Sequence, residues 1–362
     1  MQSNNRHWPP HELTPHKRDF FYVGGHYQQT DAQSASIMVG QIYVEHLTPL
    51  KVTRPYPIVI LPGSCLTGAH FLNTPDGGPG WADYFLSEGY EVYLVDLPSR
   101  GRSPWHPEQD GPRFVFDSKF AQEMFTATQI TKKWPQAGLL TQWPGNGTKG
   151  DAIFDAFYAS ISPSLTSGKE LAQKTTDGVV ALLDKLPGPC ILLTHSQSGQ
   201  FGWSIADRRP SQVKGIIAIE PGGPPFISVS FPPFGSVVRP FGMTEIPVEF
   251  DPPCDPTSAT PIPMHTGPEI DGFACTLQAS PARKLKNLVN IPVLMVTAEA
   301  SYHAQYDWCS AQFLKQAGVQ VDHVQLSSVG IRGNGHLMYM EKNSNQIAAE
   351  VLQKWLEGQR LV

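Results

Sequence analysis

Charge is scarce in this chain of 362 residues, and long apolar runs are missing from it. Asp, Glu, Lys and Arg make up only 16% of the sequence, with a formal net charge of -5. No basic surface of the kind that grips a phosphate backbone is expected, which argues against nucleic acid as a partner. No stretch approaches the roughly 20 apolar residues of a membrane span, and MQSNNRHWPPHELTPHKRDFF at the N-terminus lacks the apolar core of a secretory signal. A cytoplasmic protein is therefore expected. Cysteine is also sparse: Cys65, Cys190, Cys254, Cys275 and Cys309 are odd in number, scattered and without a C-x-x-C pair. That spacing suggests neither a disulfide framework nor a zinc site, and predicts five free, mostly buried thiols.

Proline is abundant instead. Twelve of the 34 prolines fall between Pro221 and Pro263, where they exclude regular helix and inner strand because proline lacks the amide donor and clashes with a preceding turn. This part of the chain should be an irregular excursion packed through Phe226, Phe231, Phe234, Phe241 and Phe250.

Elsewhere, apolar runs rich in β-branched residues alternate with helical or loop segments. Strands are expected at 20–24, 36–46, 57–62, 91–96, 189–194, 215–220, 292–298 and 320–327. Helices are expected at 80–88, 169–185, 198–207, 304–317 and 343–357, the last two with apolar residues at spacings of three and four. The pattern describes an α/β protein with an eight-stranded, mostly parallel sheet flanked by helices. Two long segments, 104–168 and 221–285, interrupt it, and no internal repeat is present.

Active sites of open parallel sheets lie beyond the carboxyl ends of strands. Four such ends carry suggestive chemistry: Pro62-Gly63-Ser64-Cys65, His195-Ser196-Gln197-Ser198-Gly199, Glu220-Pro221-Gly222-Gly223 and Gly333-Asn334-Gly335-His336. A serine needs a histidine to take its proton, a carboxylate to orient that histidine, and backbone donors for the oxyanion. Ser196, Glu220 and His336 follow one another in the chain order of such a set. In ILLTHSQSGQFGW neither flank of the usual G-x-S-x-G is glycine, yet Thr194 and Ser198, two before and two after Ser196, are small enough for a sharp turn. Taking Ser198 instead would put Gln200 at a crowded position. The alternative for the segment alone is a serine-rich strand end that caps the next helix.

THSQSG followed by IEPGG, together with GSCLTG, NTPDGGPGW and VDLPSRGRS, resembles the α/β-hydrolase superfamily from about Phe20 onward. More narrowly, the chain is similar to esterase-like hydrolases of bacteria and fungi whose catalytic acid follows the sixth strand. The resemblance implies an α/β-hydrolase fold with Ser196 as nucleophile, Glu220 as acid and His336 as base. Glu299, after the seventh strand, is the reserve acid, with Ser301 standing near where an aspartate is common. Backbone amides of Ser64 and Gln197 would hold the oxyanion. Some relatives carry adjacent cysteines in that loop; here Ser64-Cys65 cannot form such a bridge. Substrate contacts are expected from Cys65, His195, Phe226, Tyr302 and His303.

The chemistry so implied is cleavage of a carboxylic ester or lactone of a hydrophobic small molecule through an acyl-enzyme, with no metal or organic cofactor. The long segments would form a cap, with Trp134, Trp143, Phe226 and Phe231 lining an apolar pocket. A cyclisation, condensation or C–C bond step in fungal secondary metabolism is the alternative, and a non-catalytic binding protein a third reading. A homodimer stays open.

Overall fold

The computed structural model describes residues 13–30, 35–231 and 233–362. The reading of the N-terminus as lacking a signal rests largely on residues 1–12, outside the described residues. All eight expected strands form one sheet: β1 (His16–Gln29), β2 (Ser36–Pro49), β3 (Ile58–Leu61), β4 (Val92–Asp96), β5 (Cys190–His195), β6 (Val213–Ile219), β7 (Val293–Thr297) and β8 (Val321–Gln325). Their order is β1-β2-β4-β3-β5-β6-β7-β8. The β1–β2 and β2–β4 pairs are antiparallel and the rest parallel. β1 extends well beyond 20–24 because an edge hairpin is held by backbone pairing, so its exposed Lys17, Arg18 and Asp19 do not end the strand.

Alternation within the strands divides the core in two. Val59 and Leu61 of β3, Leu192 of β5 and Met295 of β7 face one cluster, whereas Ile58, Ile60, Leu193 and Val296 face the other. Successive side chains of a strand point to opposite faces, so each parallel strand feeds both cores and reads as a continuous apolar run. Helices α2 (Gly168–Lys185), α3 (Ser198–Arg208) and α4 (Asp307–Gln316) cover the first face, and α1 (Trp81–Ser87) the second. The C-terminal helix, expected to be regular, is interrupted by a π-helical stretch at Ala348–Gln353 between Ser344–Ile347 and Lys354–Gly358. It still buries Ile347, Leu352 and Leu356 on the second face.

Segment 104–168 folds into short helical pieces, including Ser118–Ala121, Thr128–Thr131 and Ala152–Ala159. The proline-rich segment has no strand in the main sheet. It does contain a separate hairpin, Met264–Ile270 with Phe273–Gln278, and a two-residue ladder joining Phe250–Asp251 to Lys284–Leu285. Phe226, Phe241 and Phe250 are buried in the first core, while Phe234 is exposed.

The expectation of five free thiols is wrong. Cys275 on the hairpin and Cys309 on α4 form a disulfide across a sequence separation of 34 residues. Spacing along the chain carried no sign of it because the hairpin packs on α4, which brings two distant cysteines face to face. Cys65, Cys190 and Cys254 are free.

Candidate active site

β5 ends at His195, where the small residues flanking Ser196 are expected to permit a sharp turn. Ser196 adopts φ 55°, a strained left-handed turn for a residue other than glycine. Its amide donates to Ile219 O at 2.9 Å, fastening the turn to the adjacent β6. Thr194 and Ser198 are fully buried. Ser198 does more than fit: its hydroxyl donates to Leu61 O at 2.7 Å and accepts from the His195 amide at 2.9 Å, tying the turn to β3. A Cβ on Gly199 would overlap Pro221, so the exits of β5 and β6 approach as closely as a glycine permits.

The three strand ends converge. Ser196 Oγ lies 2.9 Å from His336 Nε2, and His336 Nδ1 lies 2.5 Å from Glu220 Oε2. Glu220 sits in a left-handed conformation directly after β6. Its Oε1 accepts from the Ala298 amide at 2.7 Å and its Oε2 from the Ser301 hydroxyl at 2.7 Å. Burial and nearby Asp307 push the Glu220 carboxyl upward, opposed by these two donors. Burial, with His195 and His303 alongside, holds His336 well below its ordinary value of 6.5, so the imidazole is a neutral acceptor toward Ser196 near neutrality.

Glu299 is placed elsewhere. It accepts from Arg332 Nη1 at 2.6 Å and from the Gly333 amide at 2.9 Å, and thereby braces the loop that carries His336. Asn334 and Gly335 of the same loop donate to buried Glu341. The segment after β7 contacts the other two residues: the Ser301 hydroxyl donates to Glu220, and Tyr302 OH lies 3.2 Å from His336 Nε2.

Ser64, Gln197, His195, Tyr302 and His303 line a cavity of about 510 Å³ together with Ser196 and His336. His195 and His303 both approach the His336 ring, and His303 lies flat against it at 4.9 Å between centroids. Asp307 orients His303 through its Nδ1 at 2.8 Å. Glu220, His303 and His336 offer ligating atoms within 4.8 Å of one another, the one such trio among the described residues. Glu220 and His336 are bonded to each other, to Ser301 and to Ser196, and His303 Nδ1 to Asp307.

Cys65 and Phe226 do not line the cavity. Cys65 is buried with its thiol 3.8 Å from Phe114 O, and Phe226 packs edge-on against Phe313 because its own backbone turn points it into the core. Trp134 and Trp143 are buried in the second core, Trp134 donating to Ala300 O. Of the four expected aromatics Phe231 does line the cavity, and the rest of the aromatic wall is made by Phe114, Phe116, Phe120, Phe125 and Phe157.

Sequence reasoning also missed Arg100. Its buried guanidinium donates through Nη1 to Gly63 O at 2.6 Å and Leu66 O at 3.3 Å, and through Nη2 to Gln197 Oε1 at 3.2 Å. One side chain thus joins the two loops that carry Ser64 and Gln197. Burial lowers it to about 10, which leaves it charged. The motif VDLPSRGRS held the signal, since an arginine at a strand end inside an apolar fold needs acceptors to bury.

No protein-family model matches the chain. A protein named "Probable secreted lipase phiG", from a fungal species (strain ATCC 74256), is 46% identical over 345 residues, covering 94% of this chain and 89% of the relative. The chain belongs to the α/β-hydrolase family. This hydrolase is also similar to a solved structure described as a novel bacterial esterase, with a TM-score of 0.61, 22% identity and coverage of 97% of this chain and 98% of that one. The second likeness bears on the fold alone, and the eight-stranded order agrees with it. Kinship with this probable lipase makes the chain a carboxylic ester hydrolase. The same relative overturns the expectation of a cytoplasmic protein, because it is named as secreted. The Cys275–Cys309 disulfide agrees with that correction, since such bonds persist mainly in oxidising compartments. Among the described residues no helix is long and apolar enough to cross a membrane.

Proposed function

We propose that this hydrolase cleaves a carboxylic ester or lactone of an apolar small molecule through an acyl-enzyme on Ser196. The observation that carries the reading is the linked Ser196–His336–Glu220 set at the wall of a largely aromatic cavity. His336 takes the Ser196 proton as Oγ attacks the carbonyl carbon. The amides of Ser64 and Gln197 receive the developing oxyanion, and Glu220 stabilises the imidazolium and fixes its tautomer. His336 then protonates the departing alcohol, and water, deprotonated by the same imidazole, releases the acid.

Segments 104–168 and 221–285 supply most of the aromatic wall and serve as the cap over the site. The disulfide and the name of the relative support an extracellular place of action. Cyclisation or C–C bond chemistry finds no favour in a kinship with ester hydrolases.

Labelling by a fluorophosphonate probe tests the nucleophile: it should occur in the native protein and vanish in Ser196→Ala. An unlabelled native protein, or a labelled Ser196→Ala variant, overturns the assignment. For the acid, Glu220→Gln should lower kcat by about 10⁴-fold, the scale of a carboxylate-to-amide change behind a catalytic histidine. Glu299→Gln should cost far less, and the reverse ranking would transfer the role to Glu299.

A further inference from the structure

Part of the cavity is polar and takes no role in the proposed chemistry. Gln200 stands on α3 one turn beyond Ser196, lines the cavity and is 6% exposed. Its Nε2 donates to Glu245 Oε1 at 3.2 Å, which fixes the amide with its oxygen turned away from the carboxylate. That Oε1 has no partner among the described residues. Leaving a buried acceptor unpaired is costly, and native structures retain one for a reason.

Glu245 comes from the proline-rich segment and also lines the cavity. Its carboxylate rests against the first residue of α2, where a Cβ on Gly168 would overlap it. Burial raises the Glu245 carboxyl above its ordinary range. Arg239 borders the same region, but its Nε and Nη2 are engaged by the carbonyls of Pro224 and Ile227.

These groups narrow the ligand chemistry. An ammonium would meet Glu245 but also the Arg239 charge, and a carboxylate would meet Arg239 but also the oxygens of Gln200 and Glu245, so neither ion suits every group. An apolar group would leave Gln200 Oε1 unpaired. A neutral hydrogen-bond donor pairs with that oxygen once the Gln200 side chain turns it from its buried position toward the cavity that the residue lines. The opposing chemistry is supplied by Phe114, Phe116, Phe120, Phe125 and Phe231, whose rings form a chain of contacts.

We propose that Gln200 and Glu245 form a subsite for a hydroxyl group carried by one arm of the ester, the other arm lying on the phenylalanines. The inference rests on the reading of Ser196 as nucleophile and names the substrate class as a hydroxylated, otherwise apolar ester.

Two matched ester series test it. In one, 4-nitrophenyl alkanoates are compared with ω-hydroxyalkanoates of equal chain length. In the other, propyl butyrate is compared with 2,3-dihydroxypropyl butyrate. The native enzyme should favour the hydroxylated member by about tenfold or more in kcat/KM in at least one series, and Gln200→Leu or Glu245→Leu should reverse the preference. Preference for the apolar member in both series, as desolvation alone dictates, overturns the subsite.

Binding of the corresponding uncleavable ketone pairs to Ser196→Ala separates the two readings. A hydroxyl preference in Kd without fluorophosphonate labelling of the native protein would sink the nucleophile and keep the subsite. Intact labelling with no such preference would do the opposite.

Discussion

Reducing the Cys275–Cys309 bond should lower the melting temperature by about 5 °C. Opening a cross-link that spans 34 residues restores chain entropy to the unfolded state, worth about 3.8 kcal/mol at 25 °C by the loop-closure relation. For 362 residues the entropy of unfolding is about 0.76 kcal/mol per kelvin, and the quotient is the expected shift. Apart from the two hydrogens added on reduction the side chains are the same, so a comparison of oxidised and reduced native protein isolates the bond. The double variant Cys275→Ala/Cys309→Ala provides a second route, with an added loss from emptied space because both side chains are fully buried. Circular-dichroism melts with and without reductant give the shift, and thiol titration of the unfolded, unreduced chain should count three. Five titratable thiols, or coincident melts, would refute the reasoning and remove one of the two supports for an extracellular setting.

Because His336 must be neutral to act as base and is held well below 6.5, the acid limb of kcat/KM should fall at a pH below 6.5; an inflection above 7 in the pH profile would contradict the buried placement. Stability should decline over a related window. Burial lowers His70 to about 4 and His195 to about 3, so below 6.5 the unfolded chain binds protons that the folded one refuses. Stability present above 6.5 is then lost as pH falls toward 4, which melts at graded pH would show as a falling Tm. Replacing Arg100 by Met should reduce kcat by about 10² with little change in KM, because oxyanion donors act on the transition state. Arg100→Lys should restore little, since one ammonium cannot hold the carbonyls of Gly63 and Leu66 and Gln197 Oε1 in the same fork. A KM effect with unchanged kcat would instead make Arg100 a substrate contact.

Much of the sheet was legible because each inner strand is buried on both faces and so reads as an unbroken apolar run. Ser196 and Glu220 were legible for a related reason, since each directly follows such a run, whereas His336 lies 11 residues beyond the half-exposed edge strand β8 and was picked out by its glycine-rich loop and its place in the chain order. What stayed hidden depends on packing between distant segments. Phe226 is expected in the pocket, but its left-handed backbone turn places the ring against Phe313. The disulfide partners share no local pattern, and the support given by Ser301 to Glu220 exists only after β6 and β7 lie side by side. The location was misjudged because a terminal stretch was read for a signal, whereas the decisive observations were a relative and a pair of cysteines.

One asymmetry of the site bears on how activity should be lost. Ser196 and Glu220 emerge from neighbouring strands paired in register, His195 opposite Ile219, so one backbone ladder sets their separation. His336 alone arrives on a loop, braced through Glu299, Arg332 and Glu341. The site is a rigid anvil with a single hinged part, and heat should release that part first. Catalysis is then expected to fade a few degrees before the sheet melts, with Glu299→Gln widening the gap and leaving the global transition nearly in place.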